Sequence, residues 1–152
     1  MTDAGIYFLL IRLDKAVSLA IAGRRSVLPA AWYVYVGSAQ RHLARRIARH
    51  CRTRKRLHWH VDHLLRCGRV VAVRVLDGAP RGMEAACADL WLRHADFVPV
   101  RKFGATDSPS FAHLTGFRTR RAAESVPVWR EAAQWAYRFA PGIKPHGQSS
   151  LT

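Results

Sequence analysis

The 152-residue chain has no run of apolar residues of the ~18 that a membrane-spanning helix needs, so no transmembrane helix is expected. Cysteine is scarce. Cys51, Cys67 and Cys87 are odd in number and form no CxxC pair, which argues against both a disulfide framework and a zinc ribbon. Each reads as a small apolar side chain. The N-terminus carries Asp3 and no basic stretch, and it runs straight into a strand-like segment. A signal peptide is therefore not expected, and a cytoplasmic location follows. Acidic residues are also few: ten Asp and Glu stand against 25 Lys and Arg, for a formal net charge of +15. Only three of the acids are Glu, at Glu84, Glu124 and Glu131.

What is present follows from that imbalance. Of the 25 basic residues, 21 are Arg, whose planar fork of donors fits phosphate oxygens in pairs. A charge of +15 repels itself and destabilises a compact chain, so a polyanionic partner is implied, and nucleic acid is the best match. A membrane surface fits less well, because the basic segments lack large apolar faces with Trp or Phe. Apolar residues make up 49%, enough for a globular core. The length suits one domain over residues 1–140, followed by a Pro-, Gly- and Ser-rich tail over 141–152 that is expected to fray.

The pattern along the chain predicts an α+β fold: a small, mostly antiparallel sheet flanked by helices. Residues 5–13 (GIYFLLIRL) and 32–36 (WYVYV) are rich in β-branched and aromatic residues and read as strands, with a further strand over 69–76. Residues 16–22 read as a short strand, 23–29 as a basic loop, and 98–103 as extended. Helices are predicted over 41–52, over 59–67 closed by Gly68, over 84–93 with Cys87, Leu90 and Trp91 as its buried side, and over 127–140. The last would turn Val128, Ala132, Trp135, Ala136 and Phe139 inward.

Four constellations carry chemistry. Gly5-Ile6-Tyr7 lies on the first strand and Tyr35-Val36-Gly37 ends a later one; because side chains alternate along a strand, neighbouring strands would open both phenols on one surface. The second is the segment from Arg41 to Arg56, with eight Lys or Arg and no acid. Like charges four apart, as at Arg41, Arg45 and Arg49, weaken a helix unless a partner neutralises them. The third is His58-Trp59-His60-Val61-Asp62-His63. Its histidines could belong to a zinc site, but no second ligand pair stands nearby, so contact with phosphate or packing in the core is the better reading. The fourth is Glu84 at the start of a helix, where a carboxylate also suits the dipole.

Together these segments resemble the GIY-YIG endonuclease superfamily: Gly5-Ile6-Tyr7, then Tyr35 to Ala39 (YVGSA), then Leu43 to His50 (LARRIARH), then Glu84. More closely, the chain resembles a branch of small GIY-YIG-like proteins, sometimes found joined to base-excision repair glycosylases. That branch has an Arg-x-x-Arg-His helix, a His-Trp-His-x-Asp segment, a Glu-x-x-Cys-like helix and a Phe-Gly-x-x-Asp…His-Leu loop. Here these are Arg46 to His50, His58 to Asp62, Glu84 to Cys87 and Phe103 to Leu114. The resemblance implies a metal-dependent endonuclease acting on DNA rather than RNA, with DNA repair as its setting. Tyr7, Tyr35, Arg46 and His50 would be catalytic, with Tyr7 helping to deprotonate water and Arg46 stabilising charge on the phosphate. Glu84 would hold a divalent cation, Mg²⁺. Arg41, Arg45, Arg49, Arg52, Lys55, His58 and His60 would bind nucleic acid. The rival expectation is a non-catalytic DNA- or RNA-binding module that keeps the fold. The chain departs from the pattern twice. It has no Asn, where the superfamily places a late one in the site, leaving Asp107 or His113 as the substitute. Ser108 and Ser110 stand where the branch often has Cys, which removes the case for a metal at His113.

Overall fold

The central strands of the main sheet are apolar on both faces, and the sheet is covered on both sides. In the structure, a computed structural model that describes residues 2–21, 23–106 and 108–135, β1 (Gly5–Leu13) is the central strand and has eight of its nine residues buried. It pairs antiparallel with β4 (Ala31–Ala39) on one side and β5 (Arg69–Asp77) on the other. Two short strands, β6 (Leu114–Phe117) against β4 and β7 (Ala133–Gln134) against β5, complete a five-stranded sheet in the order β6-β4-β1-β5-β7. The fold is α+β, as expected.

One face of the sheet presents Tyr7, Leu9, Ile11, Tyr33 and Tyr35. It is covered by Leu43 and Ile47 of α1 (Leu43–Cys51), Val61 and Leu64 of α2 (His60–Leu65), and a separate hairpin of β2 (Val17–Ile21) and β3 (Arg24–Leu28). The other face presents Ile6, Phe8, Leu10, Val34 and Val36. It is covered by α3 (Glu84–His94), α4 (Arg120–Glu124) and α5 (Pro127–Glu131) through Trp91, Ala123 and Trp129. Trp91 meets Phe8, Phe117 and Trp129 edge-on, the arrangement aromatic quadrupoles favour.

Several expectations are corrected. The basic loop over 23–29 is largely strand β3: Arg24 and Arg25 face solvent while Leu28 is buried, so a half-exposed strand looks polar. The strand over 32–36 runs on through Gly37, Ser38 and Ala39, because those residues still pair with Tyr7, Ile6 and Gly5. The helix expected from Arg41 starts at Leu43, because His42 adopts a left-handed backbone at φ 56°. Its first amides are capped from a distance: Leu43 N–H donates to the Asp3 carbonyl at 3.2 Å and Ala44 N–H to the Asp3 carboxylate at 3.0 Å. Residues 98–103 form no strand; only Phe97 bridges to Gly116. In α3 the inward side is Cys87, Ala88 and Trp91, while Leu90 is 39% exposed. The helix expected over 127–140 stops at Glu131, because Ala132 is extended and β7 hydrogen-bonds to the edge of β5. Val128 and Ala132 are buried, and Trp135 packs against the core of the opposite face. Ala136, Phe139 and the tail over 141–152 lie outside the described residues. Among those described, no helix is long and apolar enough to cross a membrane.

Candidate functional site

β1 and β4 build the floor of a cleft of about 980 Å³. Their register sets Tyr7 opposite Gly37 and Leu9 opposite Tyr35, so both phenols fall on one face. The Tyr7 ring lies across Gly37, where a Cβ would collide with its outer edge. A glycine here is thus a requirement of packing: any side chain would push the ring out of place. The rings of Tyr7 and Tyr35 are 6.5 Å apart. Both phenols are buried, and burial is the main cause that pushes each above the ordinary phenol value. The negative charge of Glu84 adds to that push and Arg46 opposes it at both, and the neighbouring tyrosine is a second upward influence on Tyr7.

α1 brings Arg46 and His50, one turn apart, to this floor. His50 is buried, with its Nε2 2.8 Å from the Tyr7 hydroxyl and its ring 5.5 Å from the Tyr7 ring. One proton is shared across that contact, while His50 Nδ1 has no partner among the described residues. Burial, then the charge of Lys55, lowers the imidazole to about 3, so the ring is neutral. Arg46 donates from Nη1 to the Ser38 carbonyl at 2.6 Å and lines the cleft. No carboxylate pairs with it among the described residues.

Glu84, the first residue of α3, lines the same cleft. The Ser38 hydroxyl donates to one of its oxygens, and His113 Nδ1 lies 3.1 Å from the other. Partial burial raises the carboxyl, but the His113 and Ser38 contacts outweigh it and hold Glu84 below the usual carboxylate range. His113 is itself buried, with Nε2 3.2 Å from Ser108 Oγ. Among the described residues no three His, Cys, Asp or Glu side chains gather into a metal-binding group, and Glu84 is the one carboxylate that lines the cleft.

The structure therefore brings Tyr7, Tyr35, Arg46 and Glu84 to one cleft, with His50 behind Tyr7. The residues expected to bind nucleic acid divide. Arg41 and His58 are exposed and line the cleft, and half-buried His60 lines it too. His60 Nδ1 accepts the Gly104 N–H at 3.0 Å, which leaves its proton on Nε2. Arg45 and Arg52 are exposed but lie outside the cleft lining. Two of them are tied into the protein. Arg49 is a fork closed on buried Asp62, at 3.0 Å from each carboxylate oxygen. Lys55 donates to the carbonyls of Arg49 and His50 at 3.2 and 2.6 Å and caps the end of α1. Sequence reasoning missed three participants: Ser38, His113 as the partner of Glu84, and Trp59. Each acts across a large separation in the chain, and no local spacing marks it. Asp107, one candidate for the missing Asn, lies outside the described residues.

These features define an α+β domain with a cationic, two-tyrosine cleft that holds, among the described residues, a single carboxylate. A family model described as a domain of unknown function, DUF123, matches residues 6–133, and the chain belongs to that family. No curated protein and no solved structure matches the chain.

Proposed function

We propose that the protein is a divalent-cation-dependent phosphodiester hydrolase of the GIY-YIG type acting on DNA, with repair as its setting. The observation that carries this reading is the meeting of Tyr7, Tyr35, Arg46 and Glu84 in one cleft, drawn from β1, β4, α1 and α3. Phosphodiester hydrolysis needs an activated water, neutralised phosphate oxygens and a stabilised leaving alkoxide. Arg46, which pairs with no carboxylate among the described residues, has its charge available for the phosphate oxygens. Burial keeps Tyr7 protonated at rest, so a free phenolate is not the base. The 2.8 Å contact to neutral His50 instead fixes the Tyr7 hydroxyl in the cleft, where it can orient the attacking water. Glu84 fits Mg²⁺, which keeps most of its waters and needs only one or two protein carboxylates. A bound divalent cation supplies positive charge for the phosphate and for the water that attacks it.

One observation favours a rival, a DNA- or RNA-binding module that retains the fold without cutting. Among the described residues the site holds a single carboxylate and two phenols raised by burial. Both readings require binding to a polyanion. The expected result is a log–log slope of DNA affinity against salt of about −4 or steeper, for four or more phosphate contacts from the exposed cations around the cleft. Charge reversal at Arg41 and Arg45 is expected to weaken binding to all sequences alike, because phosphate contacts carry no sequence code. A flat salt dependence in a filter-binding or anisotropy titration would remove the nucleic-acid partner from the account.

A further inference from the structure

The segment His58 to His63 has a role that neither a zinc site nor phosphate contact describes. Asp62 is fully buried and accepts four hydrogen bonds: two from the Arg49 guanidinium at 3.0 Å each, and one each from the backbone N–H groups of His58 at 2.8 Å and Trp59 at 2.9 Å. With its oxygens engaged and no solvent exposure, it is not available to a metal. It fixes the backbone that carries Trp59 and the plane of Arg49. The Arg49 guanidinium lies 4.5 Å from the centroid of the Trp59 ring, and the Arg46 guanidinium lies 5.1 Å from the same centroid. His50 packs against that ring at 5.5 Å. One indole therefore touches Arg46, which lines the cleft, and His50 behind Tyr7, and is itself packed against Arg49.

Among the described residues Arg46 has one hydrogen bond to the protein, to the Ser38 carbonyl. A long side chain so loosely tied would keep much of its rotamer freedom. A carboxylate partner would fix it but would also neutralise the charge meant for the substrate. An aromatic face orients a guanidinium through its quadrupole and leaves the charge available. We propose that Trp59, locked by the Asp62–Arg49 pair, is the positioning residue that presents the Arg46 guanidinium to a phosphate in the cleft. This rests on the reading of Arg46 as the phosphate-facing cation. A platform for stacking a nucleobase is the other use of a Trp in a DNA cleft, but the ring of Trp59 already carries two guanidinium groups, and a base would have to displace one.

The test compares Trp59→Leu and Trp59→Phe, alone and with Arg46→Ala, by kcat and KM for DNA cleavage and by the NMR signal of the Arg46 side-chain Nε–H. Trp59→Leu is expected to lower kcat roughly tenfold with KM within about two-fold, and Trp59→Phe to recover most of the loss. In the Arg46→Ala background, Trp59→Leu is expected to change kcat by less than about two-fold, because the group it positions is gone. The proposal is overturned if the two losses multiply, or if Trp59→Phe is as slow as Trp59→Leu. Should Trp59→Leu fail to fold, Arg49→Lys keeps the helix charge and removes the fork that holds the ring. It is expected to lower kcat in the same way and to move the Arg46 signal, and no change in either overturns the proposal. If the wild-type protein cuts no DNA, the hydrolase reading fails separately and the Arg46 signal decides. A ring-current-shifted signal that survives Trp59→Phe and is lost in Trp59→Leu sustains the positioning role, and a wild-type signal at the free-arginine position overturns it.

Discussion

Arg46→Ala is expected to slow DNA cleavage by roughly 100- to 1,000-fold while leaving affinity for DNA within about two-fold, because a preorganised charge acts mainly on the transition state. The geometry argues for a loss in turnover rather than in binding. Arg46 sits in the cleft beside the two phenols, whereas Arg41 and Arg45 are exposed and can hold the DNA without it. Tyr7→Phe probes the same step from the other side. It keeps the ring across Gly37 and removes only the oxygen that meets His50. Its expected cost is about 100- to 10,000-fold in kcat, the usual range for a positioned acid–base group. Single-turnover kinetics at saturating enzyme separates chemistry from binding for both variants. A loss confined to KM would show that these groups serve affinity alone.

The second large effect is on stability and needs no substrate. Acidification is expected to destabilise the fold from about pH 6.5 downward, and His50 is the main cause. The unfolded chain protonates this imidazole near its ordinary value of about 6.5, whereas burial and the charge of Lys55 delay protonation in the folded chain to about 3. Between those values the unfolded state binds the extra proton, so stability falls as pH falls. By about pH 4.5 the loss attributable to His50 is about 3 kcal/mol. His60, lowered by burial and by His63, acts in the same direction. The carboxylates behave differently: Asp62 and Glu84, held below the usual range against the opposing effect of burial, stabilise the fold above their unfolded values and lose that contribution only as pH falls through their lowered ones. The window from pH 6.5 to about 4.5 therefore belongs to the histidines. Urea unfolding across that range is expected to show a steep loss in the wild type and a markedly flatter one in His50→Gln. Equal slopes would mean that His50 is not held neutral in the core.

Much of the site was legible because its residues sit on strongly patterned elements. Residues 5–11 carry no charged side chain, as a central strand covered on both faces requires, and the alternation along β1 and β4 is enough to put Tyr7 and Tyr35 on one side. The apolar pair Leu43 and Ile47 also located the buried side of α1. What was not legible depends on contacts between distant segments. β6 and β7 are four and two residues long and exist because β4 and β5 offer edges to pair with. Arg49 and Asp62 are thirteen residues apart, and only the folded chain shows that the acid missing from α1 is supplied by α2. The start of α1 depends in the same way on Asp3, which lies forty residues before Leu43 in the chain. Trp59 reads in sequence as an aromatic among histidines; its place between two arginines and His50 is a product of packing.

The central claim is that this cleft cuts DNA with a cation held at Glu84. The most direct test incubates the wild-type protein and Glu84→Gln with linear, nicked, branched and single-stranded DNA, with and without Mg²⁺. The account predicts Mg²⁺-dependent cleavage of at least one substrate by the wild type. It predicts none by Glu84→Gln, whose DNA binding stays intact or tightens slightly because a negative charge facing a polyanion is gone. Wild-type protein that binds DNA tightly yet leaves every substrate uncut in both Mg²⁺ and Mn²⁺ would contradict it.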